Sequence, residues 1–133
     1  MIGVVLCTHR SLAEALLDTA QMIVGDFPRA EAVAVQPGDG PVDILRRLKE
    51  AVERVDEGAG ALVLVDMFGG TPSNLALSLL GDRVEVVTGV NLPMLLKLFT
   101  HREGPLAEVA ETVRKHGCDN ILVAGALLGQ GEG

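Results

Sequence analysis

Apolar positions along this chain alternate between short unbroken runs and stretches in which they recur every three or four residues. Residues 2–7 (IGVVLC), residues 32–35 (AVAV) and Ala61–Val65 (ALVLV) are the runs, and they read as strands of a sheet, the first and third buried on both faces; Val84–Thr88 (VEVVT), interrupted by Glu85, reads as a fourth strand. Between them lie helical stripes: Leu12, Leu16, Ala20 and Ile23, then Leu45, Leu48, Val52 and Val55. Three more follow, at Leu75, Leu79 and Leu80, at Leu92, Leu95, Leu96 and Phe99 (a helix over residues 91–99), and at Leu106, Val109, Ala110 and Val113. The ends of these stripes carry start and stop signals. Ser11-Leu12-Ala13-Glu14 has the spacing of a capping box, and Gly25 and Gly117 stand where the first and last helices close. Pro41, Pro72 and Pro105 sit at helix entries, where a missing N–H costs nothing. Residues 120–126 read as a fifth strand, and the glycine-rich residues 129–133 as a frayed tail.

Strands alternating with helices predict an α/β fold: a doubly wound, mainly parallel sheet with helices on both faces. Right-handed crossovers favour the order 2-1-3-4, with a C-terminal fifth strand outside it. With 133 residues, 48% hydrophobic and 22% charged, the chain is long enough to bury one core, and residues 1–133 read as a single domain. In this order strands one and three are neighbours whose connections leave in opposite directions. The crevice between their C-terminal ends is where such sheets bind ligands. His9 follows strand one and Asp66 follows strand three, so both are placed at that crevice.

A net charge of −7, 2% aromatics and no basic cluster argue against nucleic acid, which needs cations and stacking platforms. No apolar run approaches a bilayer span, and the first residues, MIGVVLC, lack the basic flank of a signal peptide. The expectation is a cytoplasmic protein. Cys7 and Cys118 each stand at the edge of an apolar run and read as buried thiols rather than as a disulfide or a metal pair.

The chemistry concentrates in residues 61–74, ALVLVDMFGGTPSN. A carboxylate ending a buried strand is costly unless it is paired or used. Placed beside an imidazole it accepts a proton from one ring nitrogen and leaves the other bare. Gly69, Gly70 and Thr71 then offer N–H groups at a helix start, with the threonine hydroxyl as a further donor, which suits an anion. The constellation reads as a histidine that attacks phosphorus. A zinc site lacks ligands, since Cys7 alternates away from the crevice. A receiver domain needs an acidic pair after strand one, a serine hydrolase needs G-x-S-x-G, and a histidine phosphatase needs R-H-G where this chain has Thr8-His9-Arg10. His101 and His116 fall at helix ends, in a favourable macrodipole. Met67 and Phe68 read either as core or as a docking surface beside the site.

With these residues placed, the sequence resembles the IIA component of the mannose family of the bacterial phosphoenolpyruvate-dependent sugar phosphotransferase system. The likeness rests on Cys7-Thr8-His9, on the segment from Val65 through Asp66, Met67, Phe68, Gly69, Gly70, Thr71 and Pro72 to Asn74, and on Thr88-Gly89-Val90-Asn91-Leu92-Pro93-Met94-Leu95. It implies that His9 takes a phosphoryl group from HPr and passes it to a IIB component, with Asp66 orienting the histidine. It implies that Gly70 and Thr71 bind the phosphoryl oxygens, and that the protein is a homodimer exchanging its last strand. It implies no cofactor or metal, no membrane insertion and at most a peripheral association with membrane IIC and IID components. Arg10 stands where the family commonly has glycine, which adds a positive charge near the site and reads, like Met67 and Phe68, as a partner-docking contact, or else as a stabiliser of the phosphoryl group. Two other readings use the same residues: a regulatory protein whose phosphorylation state is sensed by partners, and the phosphotransfer subunit of a dihydroxyacetone kinase. Nothing in the sequence names the sugar.

Overall fold

The computed structural model describes residues 1–129. Its strands are β1 (Gly3–His9), β2 (Ala30–Val35), β3 (Ala61–Val65) and β4 (Val84–Thr88). They form one parallel sheet in the order β2-β1-β3-β4, as the sequence predicts. Helices α1 (Leu12–Val24), α2 (Pro41–Val55), α3 (Thr71–Leu77), α4 (Leu92–Thr100) and α5 (Leu106–Asp119) follow the strands, and a single turn, α6 (Ala124–Leu127), comes last.

Alternate side chains of each strand go to opposite faces, so the sheet builds two cores. Val4, Leu6, Leu62, Leu64 and Val87 meet Ala13, Ala20, Leu95, Leu98 and Val113 on one side. Val5, Cys7, Val33, Val63 and Val65 meet Ile44, Leu48, Ala51 and Ala76 on the other. Register places the site: Cys7 lies opposite Val65, while β1 runs on to pair His9 with Val35 of β2. Asp66 therefore leaves β3 beside the last step of β1.

Several local expectations are corrected. Ser11 makes no capping bond; instead the Ala13 N–H donates to Thr8 Oγ1 at 2.7 Å, so the strand's own threonine starts the helix. That bond sets the phase of α1: Ala13 and Ala20 are buried, whereas Leu12 and Ile23 are 45% and 52% exposed. Gly117 lies inside α5 rather than closing it. A Cβ there would come within 2.5 Å of Met94 Cε, so the bare backbone is what lets α5 close on α4. Cys118 is exposed on α5; only Cys7 is buried.

The fifth strand over residues 120–126 is absent among the described residues. A strand exists only as a ladder partner, and no edge of its own chain pairs with this segment. Val123 keeps an extended backbone (φ −92°, ψ 107°) before the chain turns into α6, and Ile121, Leu122 and Val123 are all exposed. Of the expected tail, residues 130–133 lie outside the described residues.

The end of the sheet opposite the crevice is tied by buried Arg102. Its guanidinium donates to the carbonyls of Ile2 (2.9 Å), Pro28 and Arg29 (2.8 Å), and it lies 5.2 Å from the centre of the Phe27 ring. Burial pushes its pKa down, opposed by the carboxylates of Glu57 and Glu103. No helix among the described residues is long and apolar enough to cross a membrane.

Candidate functional site

His9 and Asp66 meet where the sequence places them. His9 Nδ1 lies 2.9 Å from Asp66 Oδ2, and the same oxygen accepts the His9 backbone N–H at 3.1 Å. Exposure divides the pair, with the histidine side chain 47% accessible and the aspartate 14%. Burial raises the Asp66 pKa, but the hydrogen bonds from the His9 ring and backbone and from its own N–H outweigh that and hold the carboxyl below the usual aspartate range. Its other oxygen, Oδ1, is buried with no hydrogen-bond partner among the described residues. An ionised carboxylate only accepts, so Nδ1 carries the proton and Nε2 is left with a lone pair.

Nε2 faces Gly70. A Cβ on that residue would lie 3.3 Å from His9 Cε1 and 3.5 Å from Nε2. Gly70 also holds φ 89° and ψ 170°, a region that only glycine occupies freely. Space and backbone angle therefore both require glycine here. Of the three donors expected from the sequence, one is taken: the Gly69 N–H donates to Ser73 Oγ at 3.2 Å, and Ser73 is buried. The Gly70 and Thr71 N–H groups remain, at the start of α3 where no intrahelical acceptor exists. The Thr71 hydroxyl is exposed beside them. Pro72, next in the helix, has no N–H to offer.

Met67 and Phe68 are exposed on the same loop, which excludes the core reading; Phe68 is 74% accessible. The Phe68 ring borders an open groove of about 400 Å³ that also touches Leu77, Val86, Val87, Ala110 and Arg114. Arg10 follows the histidine with φ 51°, its N–H bonded to the Val35 carbonyl at 2.8 Å. His101 takes no part, since its Nδ1 lies 2.8 Å from Thr100 Oγ1 at the end of α4, and His116 sits in the last turn of α5. Cys7 is inert: burial first, then the Asp66 carboxylate, push its thiol up to about 12. No group of three or more His, Cys, Asp or Glu side chains suited to a metal occurs among the described residues.

Sequence reasoning missed Thr8 and Ser73, the residues that fix the two loops. Each is a hydroxyl in an otherwise apolar environment a few residues from a helix start, and that pattern was available to find them.

The site is thus an aspartate-held imidazole at the switch point of a parallel sheet, with a glycine turn against its free nitrogen. Solved structures share the fold that carries it. A mannose/sorbose-specific IIA subunit of the phosphotransferase system from Enterococcus faecalis matches with TM-score 0.84 and 28% identity, over 92% of this chain and 93% of that one. The phosphotransferase-system component EIIA of Streptococcus agalactiae, at 23% identity and TM-score 0.86, shows the same fold over 95% of this chain and 99% of its own. The sequence family EIIA-man, described as the PTS system fructose IIA component, matches residues 3–115. The chain belongs to that family and is a IIA component of the sugar phosphotransferase system.

Among curated relatives, the fructose-specific EIIA component of Bacillus subtilis is 35% identical over 105 residues, covering 77% of this chain and 72% of the relative. The mannose-specific EIIAB component of Escherichia coli K12 is 34% identical over 104 residues, 77% of this chain. The match spans only 32% of that longer protein.

Proposed function

We propose that His9 is a phosphoryl carrier, accepting the group from the phosphohistidine of HPr and handing it to a IIB component for sugar uptake. The observation that carries this reading is the 2.9 Å contact between His9 Nδ1 and Asp66 Oδ2, which keeps the proton on Nδ1 and the lone pair on Nε2. That lone pair attacks phosphorus, one P–N bond forms, and the P–N bond to the donor's imidazole breaks with its electron pair leaving on that ring. His9 keeps its Nδ1 proton and becomes a cationic phosphoimidazole facing the Asp66 carboxylate. The N–H groups of Gly70 and Thr71 and the Thr71 hydroxyl take the phosphoryl oxygens, and IIB receives the group by the reverse step. Positioning and hydrogen bonding supply the catalysis, and the exchange between two nitrogens requires no metal.

In this reading residues 1–133 act as one mannose-type IIA domain in the cytoplasm. Met67 and Phe68, exposed beside the imidazole, are the contacts offered to HPr and IIB. The chain pairs as a homodimer, with the exposed apolar residues Ile121, Leu122 and Val123 adding to the open edge of a second copy. The test is phosphoryl transfer from phosphoenolpyruvate through enzyme I and HPr, followed by intact mass. Wild type gains one acid-labile phosphoryl group and His9→Ala gains none; labelling of His9→Ala overturns the assignment.

A further inference from the structure

Arg10 is the one arginine whose side chain has no hydrogen bond or ion pair among the described residues. Arg29 holds Glu57, Arg46 and Arg47 hold Asp43, Arg54 holds Glu31, Arg83 holds Asp56 and Arg114 holds Glu111. Arg102 is committed to backbone carbonyls. Among the described residues the only other lysine or arginine side chains without an ion pair or hydrogen bond are Lys49 and Lys97, and both lie within helices, α2 and α4. The place of Arg10 is as telling. The loops that leave the C-terminal ends of the strands are residues 10–11, 36–40, 66–70 and 89–91, and Arg10 is the one lysine or arginine in any of them. It occupies a left-handed backbone conformation, φ 51°, that disfavours any residue with a Cβ. A side chain kept at a strained position, exposed and unpaired next to His9, is explained by something that arrives from outside.

We infer that the Arg10 guanidinium is the countercharge for the phosphoryl group on His9, and so sets how strongly this protein holds that group against its donor. The inference rests on the phosphocarrier reading. A phosphoryl group brings close to two negative charges to a crevice already holding the Asp66 carboxylate. The Gly70 and Thr71 donors are neutral. The Cα atoms of His9 and Arg10 are about 3.8 Å apart across the trans peptide, well within the reach of a guanidinium, which binds phosphate oxygens through two parallel N–H groups.

The experiment is the equilibrium partition of phosphoryl between HPr and this protein, read by intact mass for wild type, Arg10→Gly and Arg10→Lys at several salt concentrations. Arg10→Gly is expected to shift the partition toward HPr by roughly tenfold at low salt and roughly twofold at 1 M, as screening removes the Coulomb attraction. Arg10→Lys retains most of the wild-type value. Thermal unfolding separates this from damage to the fold, because glycine relieves the positive φ and Arg10→Gly melts no lower than wild type. An unchanged partition overturns the inference. So does a raised KM for HPr with the partition intact, which assigns Arg10 to partner docking instead. Wild type that takes no phosphoryl group on His9 removes the parent reading and this inference together, a result distinct from both.

Discussion

Gly70→Ala tests the space above His9 Nε2, the proposed nucleophile. The backbone at Gly70, φ 89° and ψ 170°, lies where a residue with a Cβ pays about 1–3 kcal/mol, so the variant loses about 2 kcal/mol of stability in urea unfolding. The larger effect is on chemistry. The new methyl stands 3.5 Å from Nε2 and 3.3 Å from Cε1, which the bare ring tolerates after a shift of a few tenths of an ångström. A phosphoryl group on Nε2 needs the same volume. Transfer from HPr therefore falls roughly 100-fold, the cost of displacing reacting atoms by about an ångström. Gly69→Ala is the control: it has the same positive φ of 89° but nothing within 4 Å of its Cβ. It loses comparable stability and less than about tenfold in transfer rate, through its bond to Ser73. The rates come from single-turnover labelling by phospho-HPr. Equal losses in the two variants, or a Gly70→Ala rate within about threefold of wild type, refute the argument that the glycine keeps Nε2 open.

Asp66→Asn removes the carboxylate that fixes the tautomer; labelling by phospho-HPr slows roughly 100-fold or more while the circular dichroism spectrum is unchanged, and an unaffected rate removes Asp66 from the mechanism. Arg102→Met leaves the carbonyls of Ile2 and Pro28 without their donor, so urea unfolding shows a loss of about 3 kcal/mol, with the labelling rate of the folded fraction unaltered because the change lies at the far end of the sheet. Asp56 supplies the pH dependence: burial raises its pKa, but the N–H groups of Gly58 and Gly60 and the Arg83 guanidinium bring it below the ordinary value. A depressed folded pKa means the stabilisation is complete above the unfolded pKa of about 3.9 and disappears as pH falls through the folded one. The stability gap between wild type and Asp56→Asn is then constant near neutrality and closes in acid; a gap that widens in acid contradicts the sign. Truncation after Asp119 leaves a monomer by light scattering if the exposed segment builds the dimer, and a persisting dimer assigns the interface elsewhere.

The strand order, the crevice and the His9–Asp66 pairing were legible because each follows from rules with few alternatives: mainly apolar runs of four to six residues, right-handed crossovers and the reach of adjacent strand ends. What escaped was decided by which of several competing contacts the folded chain makes. The S-x-x-E spacing at Ser11 is a local signal, but Thr8 delivers its hydroxyl first and rotates the buried stripe of α1 away from Leu12 and Ile23. Gly117 has the composition of a helix stop, and only the approach of Met94 explains a glycine in mid-helix. The run Ile121, Leu122, Val123 has strand composition, yet composition does not supply an edge to pair with. Gly69 illustrates the limit at the site itself, since the sequence counts its N–H as a donor and the fold has already given it to Ser73.

Asp66 Oδ2 accepts from both the ring and the backbone of a single residue, and this closes a small loop through the His9 side chain. The imidazole cannot swing to another rotamer without breaking a bond to a carboxylate that is itself largely enclosed. The ordering of the imidazole is thus completed when the chain folds. In the proposed role, such a carrier presents an aimed nitrogen at every encounter, so its turnover follows how often partners collide in register rather than how long it waits for a side chain to turn.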